Sequence, residues 1–290
     1  MSNLEHSLQP LIAARDWCRL VSRLERESKA HAGTPPAKVK SQVAQLIETG
    51  VPASDLAECV RQLASAGSSL GKELALELIP RIYERDAGWV NKAIWLLAED
   101  ADWEVREYAA SAVGALLQKS FRKFYPSCDA VADSGSVNQR RAVAVGVKYS
   151  SRDKTPGRCP AYLRLVGKMM HVRDIYLRKN LGPFALGDGL LRTCPTETLK
   201  QLDTWSRASD EVVLWNVAAA FGSAEASKHA LRAFQILGRL ADDSRKLVRM
   251  RLTATLKRLG SRNRSAAMAY LKGPESTPSM RRLLREALSA

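Results

Sequence analysis

The segment 99-EDADWEVREYAASAVGALL-117 holds the residues whose types and spacing come closest to a reactive site. Asp102 stands where it would cap a helix, Trp103 falls in that helix's first turn, and Glu104 and Glu107 lie one turn apart on one face. An indole beside carboxylates suits a cationic lesion. The ring attracts a positively charged base, and a carboxylate stabilises an oxocarbenium-like sugar while orienting water. Glu107 and Glu104 are therefore the candidate catalytic groups, and Trp103 and Trp89 the candidate substrate-binding aromatics. Alternatively, Trp103 belongs to the core and the two glutamates favour the positive end of the helix dipole. Residue types alone lean towards that simpler account.

A second pattern is basic. Val105-Arg106, Arg140-Arg141, Leu177-Arg178, Val213-Leu214 and Val248-Arg249 recur at steps of 35, 37, 36 and 35 residues. Four of these pairs carry arginine in the second slot. Three have an aspartate four residues before it (Asp102, Asp174, Asp210), and the position nine before is always apolar: Leu97, Ala132, Met169, Trp205 and Leu240. Guanidinium groups one repeat apart on one face suit the regular phosphates of a duplex. The candidate backbone contacts are Arg106, Arg140, Arg141, Lys148, Arg178 and Lys179, with Arg152, Arg262 and Arg264 extending the row. The slot arginines also suit ion pairs with a neighbouring repeat's aspartate, whereas Arg140 and Lys179, each beside a slot residue, are better placed for phosphate.

The elements that must carry these side chains are helices. Stretches such as 74-LALELIPRIY-83, 90-VNKAIWLLAED-100 and 225-EASKHALRAFQILGRL-240 repeat apolar residues at helical spacing, and no strand alternation is present. Short breaks such as 49-TGVPAS-54, 133-DSGS-136 and 194-CPT-196 end one helix, and Ser54, Thr196 or Asp210 would cap the next. The glycines of 182-GPFALGDG-189 interrupt a helix and mark a kink or a close packing site. Trp95, Trp205 and Trp215 fall on apolar faces and read as core. The expected fold is all-α: a right-handed superhelical α-solenoid of HEAT-like helical-hairpin repeats with a basic concave face. Residues 1–36 would form a capping helix and linker, ending in 31-HAGTPPA-37, and residues 37–290 a single solenoid domain.

Charge narrows the partner. Of the net charge of +15, residues 1–100 contribute −1 and residues 101–290 contribute +16, which points to a polyanion, with nucleic acid ahead of a membrane surface. No apolar run is long enough for a membrane helix, and the amino terminus lacks a cleavable apolar core. No nucleotide fingerprint, phosphate-binding glycine loop or Ser-His-Asp pattern occurs, and His171 and His229 stand without metal-ligand spacing, so neither cofactor nor metal is expected. Cys18, Cys59, Cys128, Cys159 and Cys194 are scattered and form no CxxC pair. They signal neither zinc nor a disulfide framework, and are expected to be reduced and mostly buried in a cytoplasmic monomer.

Three stretches, 102-DWEVREYAASAVGALL-117, 129-DAVADSGSVNQRRAVAVGVKY-149 and 174-DIYLRKNLGPFALGDGLL-191, together with the period, resemble the DNA alkylation repair family of HEAT-like repeat proteins over roughly residues 70–250. That resemblance implies a glycosylase that excises alkylated purines from duplex DNA. It places Trp103 among the aromatics framing the lesion and Arg141, with Arg140 beside it, on the backbone. The family's catalytic aspartate falls near Arg106 or Glu107, and a second family tryptophan falls on Pro183. The competing class is a non-catalytic HEAT-repeat scaffold that grips branched or damaged nucleic acid or a protein partner.

Overall fold

The computed structural model describes residues 3–27, 34–153, 155 and 157–289. Those residues are helical or connecting and include no strand, as the periodicity predicts. No helix among them is long and apolar enough to cross a membrane. The chain divides into two compact units, Met1–Ser127 and Cys128–Ala290.

The first unit contains α1 (Asn3–Ala13), α2 (Trp17–Leu24), α3 (Ala37–Gly50), α4 (Leu56–Ser65), α5 (Ser69–Ile82), α6 (Ala87–Leu97) and α7 (Trp103–Lys119). Helices α1, α3, α5 and α7 pack in succession, with α4 paired to α5 and α6 to α7. Among the described residues two helices, rather than one, precede residue 36. Arg15 takes a left-handed φ of 57° between them, and Asp16 then caps α2 by accepting from Arg19 N at 3.1 Å. Of the expected linker 31–37, residues 31–33 lie outside the described residues.

Helix α8 (Phe121–Ser134) crosses the division between the units. The second unit continues with α9 (Val137–Ser150), α10 (Cys159–Met169), α11 (Ile175–Asn180), a π-helical segment (Leu181–Leu190), α12 (Leu191–Thr193), α13 (Pro195–Trp205), α14 (Glu211–Ala220), α15 (Ala230–Gly238), α16 (Lys246–Arg262), α17 (Arg264–Lys272) and α18 (Pro278–Ser289). Two rows result. Helices α10, α13, α15 and α17 pack in one, and α9, α11 with the π segment, α14, α16 and α18 in the other. These are the first and second helices of the hairpins that the period of 35 to 37 residues marks out.

The predicted aspartate caps form at each second helix that has one. Asp102 accepts from Glu104 N (2.9 Å), Asp174 from Tyr176 N and Leu177 N (2.8 and 3.1 Å), and Asp210 from Val212 N and Val213 N (2.6 and 3.3 Å). Two other expected caps do not. Helix α4 starts behind Asp55, to whose carboxylate Ser54 donates, and Pro195 opens α13 one residue before Thr196. Helix α9 instead carries a full capping box of Ser136 and Gln139.

The glycines of 182–189 are a close packing site. A Cβ at Gly182 would lie 2.9 Å from Asn216 O, and one at Gly187 would lie 2.6 Å from Ala220 O, both on α14. The wider π turn brings backbone against backbone, which only glycine permits.

The cysteine expectation needs correction. Cys159 and Cys194 form a disulfide, with Cα atoms 6.4 Å apart. Their separation of 35 residues is one repeat, so the stacking sets them side by side at the starts of α10 and α13. Closing a loop of that length contributes on the order of 4 kcal/mol in the chain-entropy account. Cys59 and Cys128 are buried as expected, and Cys18 is exposed.

Gly187→Ala should cost about 3 kcal/mol of stability in urea unfolding, since the obstructing atom is a backbone oxygen. Gly88→Ala, where nothing lies within 4 Å, should be neutral or mildly stabilising. Equal effects at the two positions would contradict the packing account.

Candidate nucleic-acid interface

The division between the units separates the charge completely. Residues 1–127 hold 16 basic and 16 acidic residues, and residues 128–290 hold 29 basic and 14 acidic, so the whole of the +15 belongs to the second unit.

Within that unit two slot arginines, Arg141 and Arg178, lie against aromatic rings of the next second helix. Arg251 on α16, two residues past the slot residue Arg249, lies against a ring of the preceding second helix. Arg141, 5 % exposed on α9, stands 4.8 Å from the centroid of the Tyr176 ring on α11. Arg178 on α11 stands 4.8 Å from the Trp215 ring on α14, and Arg251 on α16 stands 5.1 Å from the same ring. Burial, with the charge of Arg258 added, lowers the Arg251 guanidinium below its ordinary value. Arg251 also donates to Ala219 O at 3.3 Å. The Arg178 side chain makes no hydrogen bond or ion pair among the described residues, and its Nε and Nη1 are buried without an acceptor. Trp215, expected in the core, is only half-buried because it is the platform for two cations. Trp215, Tyr176 and Arg251 are thus the members of this seam that sequence reasoning missed.

Arg140 donates to Asp133 O at 2.6 Å, tying α9 to the turn before it. In the first unit Arg106 does the same for its own turn, through Asp100 O at 2.6 Å and Ala101 O at 2.9 Å. Lys148 lies 3.1 Å from the Phe184 ring centroid and 3.7 Å from the Asp188 carboxylate. Burial holds its ammonium below the ordinary lysine value despite that carboxylate. Lys179 is exposed.

Several basic residues on or beside the first-helix row are ion-paired. Asp203 on α13 takes Arg207, Arg232 and Arg239 at 3.4, 3.1 and 3.0 Å, and Glu225 takes Arg192 and Lys228 at 3.1 and 2.7 Å. Helix α16 differs. Lys246, Arg249, Met250, Thr253, Ala254 and Lys257 recur at helical spacing and line a groove of about 550 Å³. The three cations are exposed and make no ion pair among the described residues. An exposed cation row with an apolar floor can accept an extended polyanion.

The first unit divides the other candidates. Trp103 is 53 % exposed at the start of α7, and Glu107, one turn on, is partly exposed. Trp89 is half-buried, with the Arg61 guanidinium 5.8 Å from its ring while Arg61 also pairs with the α6 cap Asp86. Glu104 turns inward, to an ion cluster centred on Lys40. Lys40 Nζ donates to Glu73 Oε2 (2.7 Å), Thr34 Oγ1 (3.1 Å) and Glu104 Oε1 (3.3 Å), and Thr34 Oγ1 donates to Glu104 Oε2 (2.7 Å). The Tyr108 ring lies 4.6 Å away. Lys40 and Glu73 are buried. Burial pushes the Glu73 carboxyl above its ordinary value, past the opposing pull of Lys40. Burial would lower Lys40, but the hydrogen bond and charge of Glu73 outweigh it and raise the ammonium. The signal was present in sequence: Lys40 stands at helical spacing with Val43, Ala44 and Ile47, a charge on an apolar stripe.

Lys40→Met should therefore cost about 3–5 kcal/mol, because two carboxylates would lose their shared cation inside the core. A raised lysine stabilises at pH below its unfolded value, and that stability is lost as pH rises through the folded one. The cost of Lys40→Met in denaturant midpoint should thus be full at pH 7 and shrink as pH climbs past 10.5 through the raised folded value; a cost unchanged in alkali would contradict the assignment. Compared with models of known protein families the chain matches none, and the curated proteins likewise include no match.

Proposed function

We propose that the second unit binds the phosphate backbone of duplex DNA and that the chain is a HEAT-like repeat protein of the DNA alkylation repair type. The observation that carries this is the charge: all of the net +15 belongs to residues 128–290, and the cations of α16 are exposed and unneutralised. The stacked hairpins of each unit support a superhelical solenoid with the second helices as the ligand-facing row. Lys179, Lys246, Arg249 and Lys257 contact phosphates through charge, with Arg178 offering its outer nitrogen from the Trp215 platform. Arg106, Arg140 and Arg141 position the helices rather than the ligand.

Base excision rests on Trp103 and Glu107. An exposed indole with a carboxylate one turn further along the same helix supports it. In that chemistry Trp103 contacts the cationic base and Glu107 stabilises the developing sugar cation and orients water, with no metal or nucleotide. Glu104 contributes by fixing the start of α7 through Lys40.

Duplex affinity should fall steeply with salt, and Lys246→Ala/Arg249→Ala/Lys257→Ala should weaken binding to all sequences alike. Its log–log salt slope should be shallower by about 2–3. Affinity indifferent to salt would end the phosphate-groove proposal. Release of a methylated purine from duplex DNA, lost in Glu107→Gln while binding persists, is the expected result for excision; no release from any alkylated duplex would leave DNA binding alone.

A further inference from the structure

We propose that the Cys159–Cys194 disulfide is a thiol–disulfide exchange site that is opened by a low-molecular-weight thiol of the glutathione type. This stands apart from DNA binding and rests on four features of the pair.

The two sulfurs are accessible. Neither cysteine is buried, and both line a cavity of about 260 Å³. Arg158 and Glu197 place both signs of charge on its wall, matching a thiol that carries carboxylate and ammonium groups. Both cysteines also sit at helix amino termini. Cys159 opens α10, Cys194 is the residue before α13, and neither start has a side-chain cap. The dipoles of two eleven-residue helices therefore favour the thiolates that reduction would produce. Thirdly, two hydroxyls stand near one sulfur: Thr198 Oγ1 lies 3.8 Å and Thr193 Oγ1 4.0 Å from Cys194 Sγ. Each now donates to a backbone carbonyl and can rotate to a thiolate. Finally, the remaining thiols offer contrast. Burial pushes Cys59 up to about 12 and Cys128 well above its ordinary value, so both are inert.

The asymmetry sets the course of the exchange. An incoming thiolate attacks Cys159 Sγ, a new sulfur–sulfur bond forms there, and the native bond breaks with its electron pair leaving on Cys194 Sγ. Thr193 and Thr198 stabilise that leaving thiolate. A second thiolate then attacks the small-molecule sulfur of the adduct, releasing the oxidised dimer of the thiol and the Cys159 thiolate. The protein gains two electrons and two thiol molecules lose them. Reduction unfastens a span of one repeat that contains Tyr176, Arg178 and Lys179.

The test uses the full chain with exposed Cys18 replaced by serine. It is equilibrated in glutathione buffers from fully reduced to fully oxidised, then acid-quenched, alkylated and weighed by mass spectrometry. Cys159 and Cys194 should convert together and reversibly between an unlabelled disulfide and two labelled thiols within that range, while Cys59 and Cys128 stay unlabelled under native conditions. Cys194→Ser, which cannot re-form the disulfide, should carry a glutathione adduct on Cys159 at oxidising ratios and lose it to reduced glutathione. A disulfide that stays closed in reduced glutathione and opens only on unfolding would overturn the proposal. So would a pair that stays as two thiols at the most oxidising ratio. The parent titration needs no cysteine-pair variant to fold.

Discussion

Along the seam of the second unit, guanidinium groups on aromatic rings join the buried apolar contacts that hold the second helices together. Arg141 lies over Tyr176, and Arg178 and Arg251 lie over Trp215, so each neighbouring pair of second helices from α9 to α16 meets through a cation and a ring. A carboxylate would hold an arginine equally well but would cancel its charge. A ring holds it through its quadrupole, worth about 0.5–2 kcal/mol, and leaves the charge intact. Arg178, on the Trp215 ring and with no ion pair among the described residues, thus packs in the seam of a unit of net +15 with its charge uncancelled.

The same constraint explains the distribution of acids. Fourteen acidic residues cannot offset 29 basic ones, and several gather where first helices need joining. Asp203 alone takes three arginines, one on α15 and one just past its end. Cations in that row thus support stacking, while those of α16 keep theirs for solvent or a ligand. The first unit shows the opposite economy. Its buried Lys40 is enclosed by Glu73, Glu104, Thr34 and Tyr108, and its charges balance at 16 against 16.

What the sequence discloses follows from what is periodic in it. Helices, hairpin rows and the Asp102, Asp174 and Asp210 caps were legible because each recurs at a fixed offset from the arginine slot. The close packing at Gly182 and Gly187 was legible because glycine inside an apolar run has few other uses. The partner of each arginine was not. Tyr176 and Trp215 stand at different offsets from their slots, so no common register aligns them. Glu104 and Glu107 look alike in sequence, yet one turns to Lys40, whose place in the cluster depends on packing more than sixty residues away. The disulfide escaped for a related reason: rules for cysteines count short spacings, whereas this pair is separated by one whole repeat.

A repeat period therefore does more than describe the stacking. Any two residues one period apart on the same hairpin position become neighbours, whatever their chemistry. In the second unit that places sulfur against sulfur at the starts of α10 and α13, and glycine backbone of the π segment against α14. The slot arginines obey the same rule, and would stand in a column of like charges without the rings between them. Repulsion within such a column is relieved by dispersing each cation onto an aromatic face or by bringing in an anion from outside. Arg178, with its ring contact and no hydrogen-bond acceptor in the described chain, already has the first and keeps an outer nitrogen available for the second.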